Sequence, residues 1–379
     1  MIAASITDYR ELARRRLPPF LFEYIDGGSY AEQTLHNNIA DLTAIALRQR
    51  VLRDVSTVDL SADLFGTRYA MPVVLAPVGL AGMFARRGEV QAARAAQDAN
   101  IPFCLSTVGV CPLAEVKTGA TGEIWFQLYM IRDRAFMETL LAQAAETGCT
   151  KLLFTVDLPM PGARYRDFRS GLVGAPGPRG DLRRLGQVIT HPHWAWDVGV
   201  HGRPHCMGNI LPALGAKSGL QDFFAWIGGN FDASVTWKDI DWVRQRWKGQ
   251  LIIKGILDPE DAVAAVETGA DGIVVSNHGG RQLDGVISGA RALPAIADAV
   301  GDRLTVLADG GIRSGLDVVR MLALGARGVL LGRAWAFALA GNGGTGVRHM
   351  LALLRGEMSI AMALTGCVKV PDITREILQ

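Results

Sequence analysis

Eight short apolar runs, rich in β-branched residues, recur along the 379-residue chain with amphipathic stretches between them. This alternation constrains the fold more than any other feature. The runs are MPVVLAPVG (71–79), PFCLS (102–106), EIWFQLY (123–129), KLLFTVD (151–157), LIIKGI (251–256), GIVVSN (272–277), LTVLADGG (304–311) and GVLLGR (328–333). Continuous apolar runs of this length suit parallel strands covered on both faces. The intervening GEVQAARAAQDAN, RAFMETLLAQAAETG, DPEDAVAAVETG and GLDVVRMLALG read as helices, several closed by glycine. Eight such units predict an α/β chain folded as a (β/α)8 barrel. The rival, an open doubly wound sheet, lacks a G-x-G-x-x-G after an early strand. Successive runs start 21 to 32 residues apart, except for a gap of 100 between residues 151 and 251. That gap predicts a long insertion after the fourth strand, over about residues 158–235. Residues 1–70 precede the barrel, with helices expected near Thr7–Asp8 and around Pro18–Ile25. The expectation is one domain over 1–379, with the barrel spanning 71–379, rather than two.

Charge narrows the function. Lys+Arg number 39 and Asp+Glu 37, a net +2, too little basic excess for a dedicated nucleic-acid binder. There is no run of 18 apolar residues, and MIAASITDYRELARRR has no signal-peptide core. Five cysteines without a C-x-x-C point to a reduced, intracellular protein, and no His/Cys spacing suggests a metal. The near-neutral total hides an asymmetry. Residues 164–205 hold seven Arg against three Asp, an excess of +4, together with Trp194 and Trp196. Such a segment suits an anionic lipid surface. Its other reading is a solvated lid over the active site.

Active sites of such barrels lie at the C-terminal ends of the strands. The polar groups there are the candidates. The ends read Ala76-Pro77-Val78-Gly79, Ser106-Thr107, Gln127-Leu128-Tyr129, Thr155-Val156-Asp157, Lys254, Ser276-Asn277-His278, Asp309-Gly310-Gly311 and Gly332-Arg333. Lys254 interrupts an apolar run, so it either snorkels to water or answers an anion inside the barrel mouth. ADGGIRSG and ALGARGVLLGR supply glycine amides with Arg313 and Arg333 after the last two strands, where barrels commonly bind phosphate. Glycines alone would serve turns equally well. His278 at a strand end, with Asp157 available to orient it, suits a general base. Arg164 and Arg281 suit a bidentate grip on a carboxylate. The residues thus reach a phosphate-bearing cofactor, an anionic substrate and a histidine base.

SNHGGRQLDG, together with TVD, GARYRD, FQLY, KGI and ADGGIRSGLDV, resembles the FMN-dependent 2-hydroxy acid dehydrogenase/oxidase family. The likeness is strongest to its branch of bacterial respiratory L-lactate dehydrogenases. It extends from LPPFLFEYIDGG through WKDIDWVR to the C-terminus. The resemblance implies FMN as cofactor and oxidation of an L-2-hydroxy acid, L-lactate to pyruvate first among them. Electrons would leave through FMN to quinone or another respiratory acceptor. An oxygen-using oxidase or a mandelate-type dehydrogenase is the alternative. By resemblance, Ala76, Pro77, Val78, Gly79, Ser106, Gln127, Thr155 and Ser276 contact the flavin, and Lys254 lies beside its N1 and O2. Asp309, Gly311, Arg313, Gly332 and Arg333 hold the ribityl phosphate. Tyr24, Tyr129, Arg164 and Arg281 bind substrate, and His278 is the base oriented by Asp157. The resemblance further implies a homotetramer peripheral to the cytoplasmic face of the inner membrane, touching it through about 165–205. Three positions depart from the pattern: Gly310 stands where the lactate branch tends to have Ser, Val108 where glycolate oxidase has a bulky aromatic, and Gly79 where oxidases often carry Ala.

Overall fold

The structure, a computed structural model, describes residues 2–173, 177–214 and 220–379. Residues 174–176 and 215–219, both within the expected insertion, lie outside the described residues. Eight parallel strands close into a barrel: β1 (Val73–Leu75), β2 (Phe103–Ser106), β3 (Ile124–Tyr129), β4 (Lys151–Thr155), β5 (Gln250–Ile256), β6 (Gly272–Val275), β7 (Thr305–Ala308) and β8 (Gly328–Leu331). Strand order follows the chain, and β8 pairs with β1. Several strands, β1, β4, β6, β7 and β8 among them, stop short of the apolar runs, which continue into the loops that carry the site.

A strand sends alternate side chains to opposite faces. On one face Val73, Phe103, Phe126, Phe154 and Ile253 join the large core between barrel and helices. On the other, Val74, Cys104, Trp125, Leu153, Ile252, Val274, Leu307 and Leu330 fill the barrel interior. Two residues further along each strand's path, the same interior face presents Ala76, Ser106, Gln127, Thr155, Lys254, Ser276, Asp309 and Gly332. A layer of polar side chains therefore sits on a layer of apolar ones, at the end where the strands finish.

The other end is plugged. A hairpin of Ala62–Leu64 and Thr67–Tyr69 turns through Gly66, whose φ is +75°. Phe65 meets Trp125 edge-on at 5.7 Å between ring centroids. Around it the buried Lys151 pairs with Glu123, which also accepts from the Tyr69 hydroxyl. Only helices were expected before residue 71. Two strands of three residues are too short to show a periodicity, so the hairpin escaped the sequence.

Three N-terminal helices flank the mouth: α1 (Ile6–Arg16), α2 (Pro19–Asp26) and α3 (Gln33–Thr43). The first two match expectation. The insertion is mainly helical where described, with Tyr165–Ser170, Pro178–Ile189 and Leu220–Asn230 its longer pieces. Trp194 is a correction. Expected beside Trp196 at a lipid surface, it is buried, donates from Nε1 to the Met83 carbonyl at 2.7 Å and meets Phe20 edge-on. Trp196 remains exposed. Among the described residues no helix is long and apolar enough to cross a membrane.

Phe65→Ala removes the ring that closes the barrel floor, and a cost of about 3 kcal/mol is expected from the cavity left. Denaturant unfolding of the full-length protein checks this; an unchanged midpoint would remove the hairpin from the stabilising core.

Candidate active site

The polar layer begins with one buried charge. Lys254 on β5 is only 4% exposed, and its Nζ lies 3.2 Å from Asp309 Oδ2 and 2.8 Å from Ser276 Oγ. Burial alone would lower its pKa, yet Asp309 and Asp157 more than offset that and raise it, so the ammonium stays charged. Asp309 keeps its second oxygen, Oδ1, buried and without a hydrogen-bond partner. Across the barrel, Ser106 donates to Gln127 Oε1 at 3.1 Å, and Gln127 Nε2 donates to Thr155 at 3.0 Å.

His278 and Asp157 stand one interior position above this layer, two residues beyond Ser276 and Thr155. His278 Nδ1 is 2.9 Å from Asp157 Oδ1. With Nδ1–H donated to the carboxylate, Nε2 is the free basic nitrogen. Burial lowers the His278 pKa, Asp157 pushes it back up, and Lys254 and Arg164 lower it further; the net shift is downward from 6.5. His278 has φ +57°, and Gly279 and Gly280 follow at +63° and +74°. This left-handed turn is strained at histidine and free at glycine. At residue 280 glycine is required twice over, because a Cβ there would lie 2.6 Å from the Leu35 nitrogen of α3.

Arginines dominate the rest. Arg281 Nη1 donates to the carbonyls of Tyr24 and Gly27 at 2.6 and 2.8 Å, and its guanidinium lies 4.8 Å from the Tyr24 ring centroid. Arg333 donates to Ile25, Gly279 and Gly27 carbonyls. Two guanidiniums thus grip the C-terminal carbonyls of α2, where they also complement its dipole, and this holds Tyr24 at the cavity. Burial pushes Arg164 down to about 10, helped by Arg281, and burial also pushes Arg313 to about 10. Arg333 is lowered well below its usual value by burial and by Arg281 and Arg313. Burial raises the Tyr129 hydroxyl, with Tyr24 and Asp157 adding to the effect, so it stays protonated. Its ring stacks on Phe231 at 4.8 Å.

These groups enclose a cavity of about 450 Å³. Tyr24, Ala76 to Gly79, Tyr129, Arg164, Lys254, His278, Arg281, Asp309, Gly311, Arg313, Gly332 and Arg333 all line it. Ser106, Gln127, Thr155 and Ser276 do not line it; they lie behind it in the buried hydrogen-bonded layer. Asp157 is likewise set behind, against His278. At Gly79 a Cβ would lie 2.9 Å from Val108 Cγ2 and 3.1 Å from Tyr24 Oη, so glycine is what lets Tyr24 approach.

Some site residues left no motif. Asn38 of α3 exchanges two amide hydrogen bonds of 2.8 Å with Asn277, and its carbonyl would lie 2.1 Å from a Cβ on Gly311. QTLHNNIADLT nevertheless reads as an ordinary surface helix. The insertion contributes Leu158, Phe168, Phe223 and Phe231 as an apolar wall, together with Asp167. None of these could be placed from a segment without periodicity.

The cavity fits FMN on its own evidence. It carries an excess of buried positive charge, which an anion would answer. The unpartnered Asp309 Oδ1 could accept from a sugar-like hydroxyl. A Cβ on Gly332 would meet nothing within 4 Å, so the backbone there borders open space at a helix N-terminus.

Fold and cavity together define a barrel enzyme with a buried cationic site for a phosphate-bearing cofactor. The family model of the FMN-dependent dehydrogenases matches residues 13–379. An L-lactate dehydrogenase of Caulobacter sp. (strain K31) is 65% identical over 378 residues, covering 100% of this chain and 99% of that protein. One from Stenotrophomonas maltophilia (strain R551-3) is 62% identical with the same coverage. Among solved structures, the monotopic membrane protein (S)-mandelate dehydrogenase superposes with TM-score 0.93 at 35% identity, covering 100% of both chains. A mandelate oxidase with (S)-4-hydroxymandelic acid gives 0.86 at 37%, covering 100% of this chain and 98% of that one. The chain belongs to the FMN-dependent dehydrogenase family, and its cofactor is FMN.

A base works in its neutral form. With the His278 pKa depressed, kcat/KM is expected to hold as pH falls through 6.5 and to drop only below it. A pH profile with an acidic limb at or above 6.5 would contradict the assignment of that limb to this imidazole.

Proposed function

We propose that the protein oxidises L-lactate to pyruvate, with His278 as base, and passes the electrons through FMN to a quinone or another respiratory acceptor. The observation that carries this is the His278–Asp157 pair at 2.9 Å, set between the buried ammonium of Lys254 and the arginines of the same cavity. The names of relatives 59–65% identical over the whole chain support lactate over larger 2-hydroxy acids.

Arg164, Arg281 and Tyr24 hold the substrate carboxylate. Their charge is conserved between substrate and product, so they orient it rather than favour either state. Tyr129, protonated and buried, donates towards the 2-oxygen. His278 Nε2 takes the hydroxyl proton, and the imidazolium so formed is stabilised by Asp157 Oδ1 on the opposite nitrogen. As the C2–O bond becomes a carbonyl the C2–H bond breaks, and its hydrogen and electron pair would be taken up by FMN, the two-electron oxidant this site would hold. Lys254 supplies positive charge where negative charge accumulates in that acceptance. The backbone from Ala76 to Gly79 would border the ring system, Ser106, Gln127, Thr155 and Ser276 would support it from the buried layer, and Asp309, Gly311, Arg313, Gly332 and Arg333 would hold the ribityl phosphate. The whole chain, 1–379, acts as one domain in this reading. His278→Gln is expected to keep FMN and to lose about 10³-fold or more in the rate of flavin bleaching by anaerobic L-lactate; bleaching at the native rate would refute the base.

The finer proposal is a peripheral membrane contact at the cytoplasmic face of the inner membrane. On the insertion helix Pro178–Ile189, Leu182, Leu185 and Ile189 are exposed at helical spacing, and Trp196 and Val200 are exposed beyond it. Among the described residues Arg169, Arg179, Arg183 and Arg203 form no ion pair, so their charge is available to anionic lipid. A homotetramer belongs to the same reading; the exposed Val51, Leu52, Ile360 and Leu364 offer it apolar surface. Replacing Leu182, Leu185 and Ile189 together by Gln should abolish sedimentation with anionic vesicles and slow reoxidation by vesicle-borne quinone, leaving reduction by L-lactate unchanged. Retained sedimentation would rule this helix out as the contact.

A further inference from the structure

We propose that Arg166 is a positioning residue for substrate binding: one guanidinium, held by three carboxylates of the N-terminal segment, sets the distance between Tyr24 and Arg164. The inference rests on the reading of Tyr24 and Arg164 as carboxylate ligands.

Those two ligands come from parts of the chain 140 residues apart, α2 and the head of the insertion. Arg164 caps the helix Tyr165–Ser170, and Arg166 stands in its first turn. Arg166 pairs with Glu23, the residue before Tyr24, with Asp26 Oδ2 at 2.8 Å and with Glu32 Oε2 at 3.5 Å. Arg10 of α1 closes on the same Asp26 at 2.5 and 2.7 Å. Asp26 is buried; burial raises its pKa, but Arg10 and Arg166 outweigh that and leave it below the ordinary value. Removing one cation would therefore leave a buried carboxylate half-answered.

The stem of Arg166 is fitted as closely as its head. A Cβ on Gly27 would lie 3.4 Å from both Cβ and Cδ of Arg166, so the side chain runs along the backbone at the end of α2. Nearby, Tyr30 N donates to Ala163 O at 2.7 Å, and the Tyr24 carbonyl is held by Arg281. The backbone bonds fix the loop after α2. Arg281 links the two ligands through backbone carbonyls, its own accepting from Arg164 Nε at 3.3 Å, and Arg166 adds the charged tie between the helix carrying Tyr24 and the turn carrying Arg164. It does not line the cavity, so its effect on substrate passes through those two residues.

A positioning role should weaken binding of the carboxylate more than it slows the electron transfer that follows. The test uses FMN-loaded full-length protein with Arg166→Met and Arg166→Lys, and Arg164→Met as reference. Steady-state KM and kcat for L-lactate are measured, and the flavin spectrum is titrated with pyruvate. For Arg166→Met, KM and the pyruvate Kd should rise about tenfold with kcat within about threefold, and Arg166→Lys should recover part of the loss. Unchanged KM and Kd would overturn the proposal. So would a kcat loss as large as the KM change with no rescue by lysine, which marks a merely structural role. If Arg164→Met itself leaves KM unchanged, the carboxylate-clamp reading falls. If only Arg166→Met leaves it unchanged, the clamp stands and the positioning role falls. Should Arg166→Met lose FMN, Glu32→Gln tests the same network at its longest ion pair; a KM rise of about threefold supports the role, and no rise overturns it.

Discussion

A closed barrel of parallel strands has one interior, and any charge sent into it must be answered there. Lys254 is that charge. Its ammonium is buried on the barrel axis side of β5, and its neighbours in space, Ser276 and Asp309, come from β6 and the end of β7. Burial of an unpaired cation would be prohibitive. The lysine therefore dictates an acid nearby, and that acid retains one oxygen without a partner. The strand period places His278 and Asp157 on the same inward face, one step towards the mouth. Lys254 and Arg164 then help keep the imidazole neutral before substrate arrives.

The mouth is built from an excess of like charge. Arg164, Arg281, Arg313 and Arg333 share one cavity; burial depresses three of them, and repulsion within the cluster adds to this at Arg164 and Arg333. Such a cluster is tolerable because the molecule supplies dipoles instead of counterions. Carbonyls at the end of α2 take Arg281 and Arg333, and the residual charge is left for anionic ligands. The N-terminal helices are thus part of the site. α2 supplies Tyr24 and accepts the arginines, and α3 packs so closely on Gly280 and Gly311 that no side chain fits between.

Much of this was legible in the chain. The eight apolar runs declared the barrel, because a buried parallel strand leaves no room for polar alternation. The strand ends declared the candidates: Ala76 to Gly79, Tyr129, Lys254, His278, Asp309, Gly311, Gly332 and Arg333 line the cavity, while Ser106, Gln127, Thr155, Asp157 and Ser276 do not. The specific motif SNHGGRQLDG carried the family. Other features were hidden for physical reasons. Asn38 acts through a long-range amide pair that no local pattern encodes. The phenylalanines of Leu220–Asn230 meet the site only because an insertion folds back over it. Trp194 shows the limit of composition: a tryptophan in a basic, loop-like segment suggested an interface, while packing against Phe20 and Met83 buried it.

By itself the sequence determined the barrel, the glycine-rich loops at its last strand ends, and His278 with Asp157 as the candidate base and its partner. Each is written locally, as a strand period or a short motif at a strand end. Only the tertiary structure decided which side chains touch the cavity and which support it, that a hairpin plugs the floor, and that Arg166 bridges α2 to the insertion. Those outcomes depend on distances between residues far apart in the chain, and packing alone sets such distances.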